Sequence, residues 1–214
     1  MKVIAINGSP RKDSNTGTLL KSALDGAESV GAQTELINLY DLSYKGCISC
    51  FACKLAGGKS YGKCALQDDL TPLFEMIEEA DALILGSPVY LSDVTGALRS
   101  FLESLMFQYL VYSETKDSLL GKTIASAFIY TMNVDEETAY KLGYEKHFNN
   151  TENNMSLIFG PTQSLYVTDT KQFTDYSKYV NHLFDPEKKA QRHEEVFPND
   201  CKKAFELGKK LVQK

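Results

Sequence analysis

The chain has 214 residues, 43% of them apolar, which suits one large domain with a single buried core. Its 23 Lys and Arg against 28 Asp and Glu give a net charge of −5, which excludes an overall electrostatic attraction to nucleic acid or to an anionic membrane. The sequence shows neither a secretory signal nor an apolar run near the roughly 20 residues of a membrane-spanning helix, so we expect a cytoplasmic protein with reduced cysteines.

Short apolar runs alternate with amphipathic segments along the chain. In order, the sequence predicts a strand over 3–6, a helix over 15–30, a strand over 34–39, a cysteine-bearing loop over about 40–67, a helix capped by Asp68 or Asp69, a strand over 82–86, a helix over about 95–112, and strands over 123–130 and 164–167. This alternation predicts an α/β fold, with helices on both faces of a doubly wound parallel sheet of five strands.

Two stretches have less regular patterns. Polar residues over 149–154 interrupt residues 135–160, which we expect to form a mobile excursion or lid. A helical extension is expected over about 170–214, broken by Pro186 and Pro198. Because no repeat, linker or shift in composition divides the chain, residues 1–214 are predicted to form a single domain.

The turn over residues 8–16 joins the first strand to the first helix and is rich in hydrogen-bond donors. Such a turn lies at the carboxyl end of the sheet, where the amides and positive dipole of a helix N-terminus favour phosphate. It lacks both the Gly-Lys-Ser/Thr ending of a P-loop and the three glycines of a dinucleotide fingerprint. The candidate donors are Ser9, Arg11, Ser14, Asn15 and Thr16. An ordinary capped helix start remains the alternative for this turn.

A second turn, over residues 87–92, follows the third strand and has the sequence Ser-Pro-Val-Tyr-Leu-Ser. In the strand order 2-1-3-4-5, strands one and three flank the switch point, so these two turns face each other across one crevice. Donors on one side and the ring of Tyr90 on the other suit a phosphate attached to a flat ring system. Considered alone, Pro88 and Tyr90 could equally be a helix stop and a buried ring.

These paired motifs, with Gly96 to Phe101 after the second, resemble the NADPH-dependent FMN reductase family and especially its iron–sulfur flavoprotein branch. The likeness runs from Met1 to about Asn133 and implies a flavodoxin-like fold that binds FMN and uses NAD(P)H. The cofactor-binding residues that it implies are Ser9, Pro10, Arg11, Ser14, Asn15 and Thr16 at the phosphate, Pro88, Val89, Tyr90, Leu91 and Ser92 beside the ring, and Thr131, Met132 and Asn133 as a third contact.

The loop over 40–67 carries the pattern C-x2-C-x2-C-x10-C, formed by Cys47, Cys50, Cys53 and Cys64. Four cysteines so close together in the sequence indicate a 4Fe–4S cluster. They indicate zinc less strongly, because a structural zinc site usually takes two separated pairs of ligands. The last spacing is longer than in the iron–sulfur flavoproteins that the chain resembles. The alternative is that three small thiols on one face of a helical turn simply pack.

The chemistry expected is therefore that of an NAD(P)H-dependent flavin reductase acting on quinone, nitro, azo or flavin acceptors. Alternatives are an electron-transfer iron–sulfur flavoprotein with ferredoxin-like partners, and a binding module without turnover. No catalytic acid, base or nucleophile is assigned, because in flavin chemistry the protein mainly binds and orients the cofactor. A homodimer or homotetramer is hypothesised from one wide apolar helix face, formed by Phe101, Leu102, Leu105, Met106, Tyr109, Leu110 and Tyr112.

Overall fold

The computed structural model describes residues 1–114 and 118–213, so that Lys214, the end of the predicted extension, lies outside it. Five parallel strands form one sheet in the order β2-β1-β3-β4-β5. Their bounds are β1 Lys2–Asn7, β2 Gln33–Asn38, β3 Ala82–Pro88, β4 Ala125–Thr131 and β5 Thr162–Val167. The predicted flavodoxin-like, doubly wound sheet is confirmed.

Seven helices in the described part of the chain cover the two faces of the sheet. They are α1 Asn15–Glu28, α2 Leu70–Glu79, α3 Gly96–Tyr109, α4 Glu136–Lys141, α5 Tyr144–Phe159, α6 Pro186–Glu195 and α7 Phe197–Val212. Alternate residues of each strand point to opposite faces. Accordingly Ile4 and Ile6 of β1 join the core under α2, α3 and α5, whereas Val3 and Ala5 join the core under α1 and α7. Among the described helices, none is long and apolar enough to span a membrane.

Residues 135–160 form helices that pack on the core, which gives no support to the expected mobile excursion or lid. They form α4 and α5, and α5 packs its buried Phe148, Met155 and Phe159 into the core. The polar run over 149–154 lies between these positions, on the exposed and half-buried side of α5. A helix that is polar on its outer face still buries one apolar stripe, and the polar run obscured that stripe in the sequence.

The C-terminal extension begins with non-helical chain that contains one 3-10 turn, Tyr176–Lys178, and becomes helical only at α6. Pro186 and Pro198 lie in the first turns of α6 and α7, so they begin these helices instead of breaking one. Helix α7 packs closely against α1. A Cβ atom added at Gly26 would lie 1.9 Å from the Phe205 carbonyl oxygen, and one at Gly208 would lie 1.8 Å from the Ala23 carbonyl oxygen.

The wide apolar face of α3 is mostly covered by the chain itself. Phe101, Leu102, Leu105 and Tyr109 are buried in the core. Tyr112 is exposed and lies beyond the end of the helix. The width of this face therefore gives no support to an oligomer interface, because packing within one chain accounts for it.

Candidate functional site

The loops after β1, β3 and β4 meet at the carboxyl end of the sheet around one cleft of about 80 Å³. Nine of the predicted cofactor-binding residues line it, namely Arg11, Ser14, Asn15, Thr16, Pro88, Val89, Tyr90, Thr131 and Asn133. Thr170 and Gln172, from the chain after β5, line it as well and were missed in the sequence. The loop after β5 also lies at the carboxyl end of a parallel sheet, so the polar residues that follow Val167 were an available signal.

The first loop is held rigidly by its own hydrogen bonds. The Gly8 amide donates to the Gly86 carbonyl at 2.8 Å, and the Ser9 amide donates to the Asn7 side chain at 3.0 Å. Ser9 is buried, and its hydroxyl accepts a hydrogen bond from the Arg11 amide at 3.1 Å. Ser9 therefore braces the loop without lining the cleft, and the exposed Pro10 does not line it either.

The start of α1 leaves its amides available. Ser14 is the N-cap residue, but its side chain makes no capping hydrogen bond within the described chain. Its hydroxyl donates instead to the Arg11 carbonyl at 3.1 Å. The first amides of a helix have no partners inside the helix, so this end of α1 presents donors toward the cleft. The interpretation as an ordinary side-chain-capped helix start is wrong.

The second loop is fastened to the first and turns sharply beside the cleft. The Thr95 hydroxyl donates to the Gly8 carbonyl at 2.6 Å and joins the two loops. Tyr90 and Asp93 pair through their backbones across a tight turn in which Leu91 and Ser92 have positive φ of 50° and 71°. Both of these turn residues are exposed and neither lines the cleft, whereas Tyr90 lines it and is 43% exposed.

The loop after β4 supplies a polar wall to the cleft. The hydroxyls of Thr131 and Thr16 share a buried hydrogen bond of 2.8 Å. Asn133 donates from its Nδ2 to the Gln172 side chain at 2.8 Å, and its buried Oδ1 has no hydrogen-bond partner among residues 1–114 and 118–213. Met132 does not line this cleft, because its side chain is buried in the core on the other side of the loop.

The four cysteines of the loop after β2 come together at a second place. Cys47, Cys50, Cys53 and Cys64 all line one small cavity against α3. Cys47 and Cys50 are exposed, and the only helical turn over residues 47–64 spans Ala52–Lys54. The thiols therefore do not pack along one helical face, and that interpretation is wrong. Burial raises the pKa of the Cys53 and Cys64 thiols above the ordinary value.

Two further side chains from α3 face the cysteine cavity with unused hydrogen-bonding groups. Gln108 accepts the Cys64 amide on its Oε1 at 3.0 Å, which leaves its Nε2 without a partner in the described structure. The buried Ser104 hydroxyl, which also lines the cavity, lacks a partner among the same residues. Lys54 holds the loop on α3 by donating to the carbonyls of Gln108 at 3.0 Å and Leu110 at 2.6 Å.

The thiols surround a cavity but do not converge on one point. Across residues 1–114 and 118–213, no group of three or more His, Cys, Asp or Glu side chains is arranged to hold a single metal ion. In a 4Fe–4S cluster, each of four thiolates binds a different iron atom. The four sulfur atoms therefore need not converge on one point, as they must around a single ion.

Comparison with known proteins identifies the class to which this fold and cleft belong. The model of the NADPH-dependent FMN reductase family matches residues 1–142, and the chain belongs to that family of oxidoreductases. The family resemblance found in the sequence is thereby confirmed.

Among curated relatives, an iron–sulfur flavoprotein of Methanocaldococcus jannaschii is 41% identical over 103 residues, 48% of this chain and 51% of the relative. One from Archaeoglobus fulgidus is 33% identical over 130 residues, 61% of this chain and 54% of the relative. The chain thus spans about half the length of the curated relatives that it matches.

Solved structures show the same fold at low sequence identity. The NAD(P)H:quinone oxidoreductase from Methanothermobacter marburgensis superposes with a TM-score of 0.74 and 14% identity, over 100% of this chain and 98% of that one. An FMN-dependent NADH-azoreductase from Bacillus anthracis, solved in complex with FMN, gives a TM-score of 0.64 and 15% identity over the full length of both chains.

Proposed function

We propose that this chain binds FMN in the cleft and uses NAD(P)H to reduce quinone, nitro, azo or flavin acceptors. The observation that carries the proposal is the convergence of three loops on one cleft, with uncapped helix amides at one end and Pro88, Val89 and Tyr90 at the other. The names of the relatives and structural neighbours, which include quinone and azo reductases, agree with this chemistry.

The phosphate of FMN would be held at the N-terminus of α1. Ser14, Asn15 and Thr16 supply donors from the first turn, and the guanidinium of Arg11 lies close enough to line the same cleft. The dipole of α1 adds favourable interaction with the negative charge. These residues fit a phosphate because the side chains of Arg11, Ser14 and Asn15 donate only to neutral carbonyls, and that of Thr16 is paired with the neutral Thr131 hydroxyl.

The isoalloxazine would lie between the Pro88–Tyr90 turn and the wall formed by Thr131 and Asn133. The buried, unpartnered Oδ1 of Asn133 provides an acceptor for a ring N–H. Tyr90 is partly exposed, so the edge of the isoalloxazine beside it would be open to a second substrate. When bound, FMN accepts hydride from a nicotinamide and passes on electrons, while the side chains of this chain bind and orient the ring.

The direct test is anaerobic mixing of the FMN-loaded protein with NADPH and, separately, with NADH. We expect the visible flavin absorbance to bleach with at least one of them and to return on addition of menadione. Tight FMN binding without bleaching by either nucleotide would contradict the reductase and favour a carrier or binding module.

We propose as a second candidate that the cysteine loop holds a 4Fe–4S cluster, which would make the chain an iron–sulfur flavoprotein. Four thiols line one cavity, and the unpartnered Nε2 of Gln108 and hydroxyl of Ser104 face it as donors for cluster sulfurs. Cluster binding would deprotonate the thiols, and at Cys53 and Cys64 it would have to overcome the burial that raises the pKa of these two groups. The named relatives are iron–sulfur flavoproteins, which agrees with this candidate.

Anaerobic reconstitution with iron and sulfide tests the cluster. We expect about four iron and four sulfide per chain, and a large loss of both in Cys53→Ser. Cys201→Ser is the matched control, since Cys201 lies on α7 outside the cysteine cavity. Retention of no iron by the wild-type protein would refute the cluster and leave the flavin reductase unaffected.

Three further expectations from the sequence stay predictions. They are a ferredoxin-like partner, which belongs with the cluster, a homodimer or homotetramer, and a cytoplasmic location. Equilibrium sedimentation at micromolar concentration measures the oligomeric state, and a monomer there would remove the oligomer hypothesis.

A further inference from the structure

Residues 169–172, here called the strap, cross the cleft between β5 and the C-terminal helices. The strap lies outside the region that the family model matches, which ends at residue 142. Thr170 and Gln172 face the cleft, so the strap forms its fourth wall. We therefore asked what holds the strap in place and what it contacts.

The strap is fastened to the loop after β4 by backbone hydrogen bonds. The Asp169 amide donates to the Val134 carbonyl at 2.7 Å, and the Thr170 amide donates to the Met132 carbonyl at 3.0 Å. Asp169 has a positive φ of 55°, a conformation that costs free energy for a residue with a side chain. A conformation of this kind persists only where surrounding contacts impose it.

Lys189 on α6 contacts the side chain of Asp169. Its side chain is only 4% exposed, and its ammonium group donates to the Asn133 carbonyl and to the Asp169 carboxylate. The ammonium also lies 4.9 Å from the centre of the Phe184 ring. One buried cation thus joins the strap, the loop after β4 and the C-terminal extension.

The strap occupies the donors that a phosphate would need. The Arg11 guanidinium donates to the Gln172 carbonyl at 2.7 Å, and the side-chain Nδ2 of Asn15 donates to the Lys171 carbonyl at 2.9 Å. The cleft beneath the strap has about 80 Å³, whereas ligand pockets usually have about 300–1,000 Å³. A phosphate attracts Arg11 more strongly than a neutral carbonyl does, so phosphate binding and this closed strap compete for the same donors.

We propose that the strap is a gate for FMN and that Lys189 is the positioning residue that holds it. FMN enters when the Lys171 and Gln172 carbonyls give up Asn15 and Arg11 to the phosphate. The Lys189–Asp169 contact keeps residues 169 and 170 fastened to the loop after β4 while residues 171 and 172 move, so the strap stays over the bound cofactor and slows its departure. This inference rests on the proposed FMN site and adds to it a gate formed by the strap and held by Lys189 of α6.

The test compares Lys189→Met with Lys188→Met, which removes an exposed lysine from the same helix. We expect FMN to dissociate about tenfold faster from Lys189→Met, roughly the effect of losing one charged hydrogen bond, and at the wild-type rate from Lys188→Met. Lys189→Arg keeps the charge and is expected to restore much of the slow dissociation. A rate for Lys189→Met within twofold of wild type would overturn the gate.

Hydrogen exchange without FMN gives an independent measurement. The Asp169 and Thr170 amides should exchange faster in Lys189→Met than in Lys188→Met, while the amides of β1 and β3 stay protected. Equal exchange of the strap amides in both variants would overturn the role of Lys189. If Lys189→Met does not fold, Asp169→Asn takes its place in both measurements, with changes in the same direction expected. Failure of the wild-type protein to bind FMN would refute the proposed function itself.

Discussion

Ser14 illustrates how single residues create the cleft. It begins α1, yet its hydroxyl bonds to the Arg11 carbonyl and leaves the first amides of the helix uncapped. Ser9, two residues before Arg11, has the opposite role, because its buried hydroxyl and amide are used to hold the loop in shape. Two serines of one motif therefore differ in their contacts, since Ser9 supports the loop and Ser14 lines the cleft.

Arg11 is expected to recognise the phosphate of FMN but not its ring. Replacing it with Ala should weaken FMN binding about 10- to 100-fold, since a hydrogen bond to a charged group is worth roughly 1.5–3 kcal/mol. Riboflavin, which lacks the phosphate, should bind both proteins with nearly equal affinity in fluorescence titrations. Lys12→Ala is the control, because Lys12 is engaged with Asp41 at 2.6 Å. Equal losses for FMN and riboflavin would contradict the assignment.

Tyr44 anchors the cysteine loop on α3 and makes this contact sensitive to alkaline pH. Its hydroxyl donates to the Ala97 carbonyl at 2.7 Å, and burial raises its pKa to about 12. Because the folded protein favours the neutral phenol, the contact stabilises the fold fully below the ordinary tyrosine pKa of about 10. That stabilisation is lost as the pH rises toward 12.

We expect Tyr44→Phe to lower the free energy of unfolding by about 1 kcal/mol at neutral pH. The difference from wild type should shrink between pH 10 and 12, as followed by urea denaturation. Tyr40→Phe, at an exposed tyrosine of the same loop, should change little. A difference that stays constant across this pH range would contradict a contribution that depends on the neutral form of Tyr44.

At the scale of elements, the contact between α1 and α7 depends on two glycines that let the helix backbones approach closely. Replacing Gly208 with Ala would place a Cβ atom 1.8 Å from the Ala23 carbonyl oxygen, so the helices must separate. We expect a loss of about 3 kcal/mol in the free energy of unfolding, measured by urea denaturation. Gly96→Ala is the matched control, because its added Cβ meets no described atom within 4 Å. Equal stability of both variants would contradict this account of the helix contact.

The sequence predicted those elements whose apolar pattern reflects burial on both sides. Strand β3 is buried at every position, and its apolar run was recognised directly. Helix α5 was missed because only one narrow stripe of it is buried and the polar run over 149–154 dominates its composition. The prolines of the extension were misinterpreted because proline ends a helix that precedes it but also suits the first turn of the next helix.

At the scale of the whole molecule, the topology explains why part of the candidate site was predictable. In a doubly wound sheet the loops after β1 and β3 must face each other, so residues 75 or more positions apart, such as Asn15 and Tyr90, could be placed in one cleft. The strap was missed, although its place after β5 was an available signal, because Thr170 and Gln172 reach the cleft through contacts with Met132 and Asn133 that leave no periodic pattern. Leu91 and Ser92, which form the tight turn, are exposed and do not line the cleft.

A crystal structure of the intact protein with FMN tests the central claim most directly. The account predicts the phosphate against Ser14, Asn15 and Thr16, with Arg11 released from the Gln172 carbonyl, and the ring beside Pro88 and Tyr90. FMN bound elsewhere, or with its phosphate away from the start of α1, would contradict it.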